Sequence, residues 1–522
     1  SPASTAQSPA TPPQAPAQTP VATPPPATPA PATPQPVTVS GASKIGYFDE
    51  AADIGGPAIK GSTVYDPKAQ TYTLTAGGTN MWGPRDEFHV AWRKLSGDFI
   101  VRTHAAFVGK GVDPHRKLGW IIRRSPEPDS PYVDAAIHGD GLTSLQFRRT
   151  AGAITEQIES TLKAADVIQL QRKGRTYTMS VARAGEPFTR HEIADIDLSD
   201  EVYVGLFLCS HNPKVTERAT FSNVRIVVPP NEGWRPYRDY IGSNLELLTL
   251  ATGARTVLHT ETGSIQAPNW TRDGKALIYN GGGRLFRFDL KTRKPTPIDT
   301  GFATNNNNDH VLSFDGKQLG ISHQDKANNN RSIVYTLPTT GGVPTRITEN
   351  GPSYLHSWSP DAKELIFTGN RNGELDIYKI SAKGGDEQRL TDAKGVDDGP
   401  EYTPDGKWIY FNSARTGRMQ IWRMHPDGSG QERITQDDYN NWFPHISPDG
   451  TTIVLLSFGD DVEPGDHPFY RHVYIRLMSL DGSNPRVIAY VFGGQGTINV
   501  PSWSPDGKQL AFVSNTALTA PH

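Results

Sequence analysis

The chain has 522 residues, 36% of them hydrophobic and 9% aromatic, and its 52 basic side chains are balanced by 55 acidic ones. That length can bury more than one core, and the balance excludes a protein that holds nucleic acid or a membrane surface by charge alone. No apolar run of about 18 residues occurs, so no transmembrane helix is expected.

Prolines crowd the start, with 13 of the 43 lying before Val37, among Ala, Thr, Ser and Gln and without a charge. Residues 1–42 therefore read as a disordered Pro/Ala/Thr-rich linker. A chain that opens inside such a tether without an initiator Met is expected to have lost a signal peptide, which gives an exported protein, periplasmic or extracellular. The single cysteine, Cys209, excludes an internal disulfide and reads as a small apolar filler in the strand Val202 to Cys209.

Short alternating strands follow, among them Phe99–Phe107, Leu118–Arg123, Val167–Arg172 and Tyr177–Val181. Residues 43–230 are expected to form a two-sheet β-sandwich of jelly-roll type, ending near Val227-Val-Pro-Pro-Asn-Glu-Gly233. Within it Trp82, Arg85, Asp86, Phe88, His89 and Trp92 make a dense aromatic and charged cluster that would suit a saccharide, although strand alternation sends part of it to the core.

From residue 231 onward the chain repeats itself. A Ser/Thr-x-Asp-Gly turn starts at Thr271, Ser313, Thr403, Ser447 and Ser504, and at Ser359 with Ala362 in place of Gly; the six copies are spaced 42, 46, 44, 44 and 57 residues apart. A period near 44 with about four strands per unit is the signature of a β-propeller blade. Pro or its equivalent presets the first central φ, Asp bonds the local backbone, and Gly takes the left-handed conformation that re-enters the next strand. Six corners imply six blades. Only one clear strand follows the last corner, and two orphan strands, Leu245–Leu250 and Arg255–Leu258, precede the first, so their pairing is expected to close the ring.

Trp503-Ser-Pro-Asp-Gly-Lys-Gln-Leu-Ala-Phe-Val-Ser514 and Asp376-Ile-Tyr-Lys-Ile380 resemble repeats of the TolB-type six-bladed propeller family, over residues 231–522. Gly97-Asp-Phe-Ile-Val101, Leu118-Gly-Trp-Ile-Ile122 and Gly205-Leu-Phe-Leu-Cys-Ser-His211 resemble concanavalin-like jelly-roll domains. The resemblances imply an all-β protein: a propeller face of a kind that commonly serves protein partners, behind a domain of a kind that often binds glycans.

If each inner strand runs toward its Asp-Gly corner, the opposite channel mouth collects the polar segments that enter the inner strands, and a pocket is expected there. Three residues before the Ser/Thr of each corner, four blades carry Pro (Pro268, Pro400, Pro444, Pro501), whereas blades two and three carry His310 and His356. These two histidines are the candidate catalytic groups. The candidate ligand-binding residues are His323, Asp397, Asp398, Asn440, Trp442, Gln495 and Asn499, with His467, Arg471 and His472 from a long blade-five insertion. Such a set would suit proton transfer or a divalent metal, Ca or Mn.

Oligogalacturonate lyases are similar propellers whose mouth His and Gln side chains hold a metal. The present chain lacks their paired His-x-His before a corner, so His310, His356 and Gln495 stand only as functional analogues. No Gly-x-Ser-x-Gly elbow or phosphate loop occurs, and His191-Glu-Ile-Ala-Asp is half of a zinc-protease motif on a strand-like segment. Three readings result: an exported carbohydrate-binding protein, a metal-dependent polysaccharide lyase or glycosidase, and a TolB-like scaffold whose partner is another exported protein.

Overall fold

Alternation with period two puts Tyr72, Leu74 and Ala76 of the strand Thr71–Ala76 on one buried face and leaves its threonines half exposed. The same alternation, through fourteen strands between Glu50 and Val227, builds two seven-stranded antiparallel sheets in the computed structural model. Phe99, Val101, Leu170 and Phe221 of one sheet meet Leu118, Trp120, Leu145 and Val204 of the other in a single shared core. The structure describes residues 45–235, 237–371 and 373–518. The linker expected over residues 1–42 lies outside the described residues.

The remaining strands form a six-bladed β-propeller. Five blades are four-stranded sheets whose inner strands are Gln266–Trp270, Asn306–Leu312, Ser353–Trp358, Asp397–Tyr402 and Asn440–Ile446. In the sixth, Gln509–Asn515 pairs on one side with Trp503 and on the other with Ser243–Thr249, which in turn pairs with Ala254–Glu261. Strands from before the first corner thus complete the blade that holds the last one. That closure removes the two sheet edges an open ring would expose.

One hydrogen-bonded cage repeats at all six corners. The Ser or Thr hydroxyl donates to the Asp carboxylate over 2.5–2.7 Å and accepts the backbone N–H five residues on. The fourth residue is left-handed at each of them, with φ from +69° to +71° at the five glycines and +58° at Ala362. The bulky residue before each corner (Trp270, Leu312, Trp358, Tyr402, Ile446, Trp503) points into the channel end on this side, where it lines a small apolar funnel.

Two seams of buried charge and carbonyls hold the sandwich against the propeller. Glu246 of Ser243–Thr249 accepts from Arg225 of the sandwich at 2.6 Å and from Arg255 of the next propeller strand at 2.8 Å, and all three side chains are nearly inaccessible. The Tyr490 carbonyl accepts from both Arg255 and sandwich Arg102. Burial raises the Glu246 carboxyl, but the two guanidiniums outweigh it and hold the group ionised well below the usual carboxylate range.

Burial decides two expectations about the sandwich, and Cys209 meets its reading as a buried apolar filler. The cluster from Trp82 to Trp92 is engaged internally: Asp86, fully buried, pairs with Arg123 and Arg148 at 2.7 Å each, His89 lies 2.8 Å from Asp53, and Trp92 packs on Tyr203. Asp86, Phe88 and His89 thus belong to the interior, while Trp82 and Trp92 are half-buried and Arg85 is exposed. Cys209 is buried and free, and burial pushes its thiol up to about 11, so it is no nucleophile at neutral pH.

Candidate functional site

The inner strands decide what reaches the channel mouth, and each of the five complete ones carries a β-bulge near its entrance. A bulge leaves residues out of the ladder, so it accepts Pro, which has no N–H to contribute. Pro268, Pro400 and Pro444 sit in these bulges. In blade three the extra residue is His356, between the ladder pairs Leu355 with Phe367 and Ser357 with Ile366. In blade two the bulge is longer, from Asn306 to His310, and His310 is already back in register opposite Ile321.

This shift corrects the equivalence between the two histidines. His356 faces the cavity. His310 is wholly buried between blades one and two, its ring nitrogens 3.1 Å from the Asn308 carbonyl and 3.2 Å from the Ile278 carbonyl. Burial pushes it down to about 4, so it is a neutral ring donating to one of two carbonyls and reaches no substrate. The residues that the longer bulge turns toward the channel are Asn307, Asn308 and Asp309.

The cavity at the mouth measures about 710 Å³. His356, Asp398, His467, Gln495 and Asn499, all named from the sequence, line it. His356 Nε2 lies 3.1 Å from Asp398 Oδ1, which also accepts from the Thr368 hydroxyl at 2.6 Å and the Gly399 N–H at 2.7 Å. Burial alone would raise the Asp398 carboxyl and depress His356. Their mutual attraction prevails, with Asp398 held at about 2 and His356 above its ordinary value, so the two form an ion pair. Asp309 has no such partner: burial, with Asp398 adding to it and His356 opposing, pushes its carboxyl up to about 6.

Several polar atoms of the lining are buried without a hydrogen-bond partner: Asn306 Oδ1, Asn308 Nδ2, His467 Nδ1 and Gln495 Oε1. Each such group costs on the order of 1–3 kcal/mol unless a ligand or water satisfies it. Other such atoms lie elsewhere in the molecule, but these four face one cavity, whereas the hydroxyls and carboxylates of the corner cages are bonded to one another.

The other predicted residues are placed elsewhere, each for a local reason. Asp397 points the opposite way from Asp398, as strand alternation requires, and its carboxylate accepts from Arg415 at 2.8 Å. Asn440 ties Met419 N–H to the Val462 carbonyl, pinning the insertion. Trp442 is fully buried and packs under the His467 ring at 4.4 Å between centroids, supporting the cavity without lining it. His323 packs among Phe302 and Tyr335. Arg471 is exposed at the start of its strand. His472 turns toward the sandwich, 3.2 Å from Gln171, in a second cavity of about 530 Å³ between the two bodies. Burial, with Arg102 and Arg190 nearby, pushes it down to about 3.

Among the described residues no three His, Cys, Asp or Glu side chains converge in a way that could hold a metal ion. Of the groups expected to hold a divalent metal, His310 is turned away, while His356, Asp398, His467 and Gln495 line the mouth together with Asp309.

Sequence reasoning missed the outer wall. Tyr237 and Tyr240, from the connector between sandwich and propeller, meet Phe469 of the insertion at 5.8 and 5.6 Å and form an aromatic rim, with Tyr354 and Phe443 further in. The available signal was Trp234, Tyr237 and Tyr240 in an otherwise polar connector. Also missed was a buried hydrogen-bonded pair between blades four and five, where His445 Nδ1 lies 2.6 Å from Glu401 Oε2 while the other Glu401 oxygen accepts the Ile446 N–H.

Comparison with known proteins bears on the propeller. A family model described as the TolB beta propeller domain matches residues 349–463. An uncharacterised protein of Agrobacterium fabrum is 47% identical over 272 residues, 52% of this chain and 92% of that protein. A solved structure from Agrobacterium tumefaciens, provisionally named TolB, is 46% identical, covers 53% of this chain and 99% of that one, and superposes with a TM-score of 0.51. The Tol-Pal system protein TolB of Francisella tularensis is 28% identical over 129 residues, 24% of this chain and 29% of that protein.

Proposed function

Since the chain belongs to the TolB-like β-propeller family, we propose that it is an exported protein-interaction scaffold that presents its channel mouth to a partner protein. The observation that carries this reading is the mouth itself: about 710 Å³, open, rimmed by aromatics and lined by buried polar atoms that await partners. The similarity to the Tol-Pal system protein TolB of Francisella tularensis supports the scaffold reading over carbohydrate recognition. Catalysis by His310 has no support in its position.

We take residues 43–230 as a concanavalin-like jelly-roll domain and 231–522 as the propeller domain. The sandwich then acts as a rigid base, since Arg225, Glu246 and Arg255 lock it to the blade that closes the ring. His356, Asp398, His467, Gln495 and Asn499 are proposed as contact residues for the partner.

The test is capture of periplasmic or secreted proteins on the immobilised chain, repeated with Gln495→Trp, which plugs the mouth, and with Asp273→Asn at a corner. A partner lost with the first change and kept with the second is the expected result. Capture indifferent to the plug, or release of unsaturated products from uronate glycans, would sink the scaffold reading.

A further inference from the structure

The cavity lining is lopsided in charge. It contains two carboxylates, Asp309 and Asp398, and neither Lys nor Arg. Asp398 pairs with His356 at 3.1 Å, whereas buried Asp309 has no cationic side chain bonded to it and only the Asn307 amide and the His356 charge favour its ionised form. Burial of a carboxylate is costly where no cation is bonded to it, and here burial outweighs His356 and Asn307 and raises the carboxyl.

The surroundings are those that cations seek. Aromatic rings line the cavity, Tyr354 and Phe443 inside and Tyr240 and Phe469 at the rim, and such rings attract cations. Asn306 Oδ1 and Gln495 Oε1 are buried acceptors with no donor, and Asn306 is only 5% exposed. The insertion that carries Phe469 adds Asp466 within electrostatic reach of Tyr237 at the rim. Of the connector's guanidiniums, Arg235 is tied to Asp239 at 2.7 Å, and neither it nor Arg238 lines the cavity. Among the described residues no three His, Cys, Asp or Glu side chains converge here, and the unpartnered amide oxygens suit a cation that carries its own hydrogen-bond donors.

Resting on the scaffold reading of the mouth, we infer that the partner is a polypeptide segment that inserts a lysine or arginine side chain between the aromatic rings to meet Asp309. The ammonium or guanidinium donates to the carboxylate and to the unpartnered amide oxygens, and its alkyl stem packs on the rim. Charge complementarity decides the class of occupant: an acidic segment would face two carboxylates and neither Lys nor Arg, and a neutral one would leave Asp309 as it is.

Randomised displayed dodecapeptides are selected on the full chain and counter-selected on Gln495→Trp. The expected winners share a Lys or Arg. Its replacement by Gln weakens binding about tenfold or more, Asp309→Asn does the same, and Asp273→Asn at the far end leaves it unchanged. Mouth-dependent peptides without a basic residue, or indifference to Asp309→Asn, overturn the cation assignment while the mouth stays a docking surface. If no peptide depends on the open mouth, the assignment falls together with the scaffold reading.

Discussion

The two ends of the propeller ring are built from the same six strands and treat their polar groups in opposite ways. At the corner end every Ser/Thr hydroxyl and Asp carboxylate is satisfied within a few residues, six times over. At the mouth Asn306, Asn308, His467 and Gln495 keep buried polar atoms unpaired, and Asp309 keeps a carboxyl with no cationic side chain bonded to it. One end is a repeated local device for stability, and the other is an irregular surface that a stable fold carries at a cost. Such local inconsistency is where a binding function is expected.

The sharpest way to break the contrast is at the waist that both ends share. Glu401→Ala strands His445 in the channel and frees the Ile446 N–H, and should lower unfolding free energy by about 3–5 kcal/mol, read from the urea midpoint. An unchanged midpoint would mean that the pair does not hold blades four and five together.

A smaller effect separates the mouth by its pH response. The Asp309 carboxyl is raised from its unfolded value near 3.9 to about 6, so the folded state gains from its protonation. That contribution is fully present below about pH 4 and is lost as pH rises through about 6, by roughly 2–3 kcal/mol. Asp309→Asn should remove this fall, flattening stability between those limits in thermal melts at stepped pH. If the variant falls as steeply as the parent, the carboxyl is not strained.

Corner substitutions should cost less, because each cage is one of six. Ser447→Ala removes the acceptor for the Thr452 N–H and should cost about 1–2 kcal/mol in the same denaturation. Smallest of all, Ala362→Gly relieves the one non-glycine residue at this turn position, φ +58°, and should stabilise by about 0.5–1 kcal/mol. A loss of stability there would show that the left-handed turn is no burden to Ala362.

By itself the amino-acid sequence determined the repeat, the number of blades and the closure of the ring. The corner bonds span at most six residues, and the orphan strands had only one vacant edge to fill, so local chemistry and counting were enough. The histidine equivalence was not legible. His310 and His356 occupy the same place before their corners, but bulge length depends on which partner residues the neighbouring strand offers, and three asparagine-run residues were pushed out in blade two against one residue in blade three. Nor could the sequence bring Tyr237 and Tyr240 to Phe469, more than two hundred residues away, since no periodicity links a connector to an insertion. Only the tertiary structure decided which polar side chains were left without partners at the mouth, because partnership is a property of three-dimensional proximity and not of spacing along the chain.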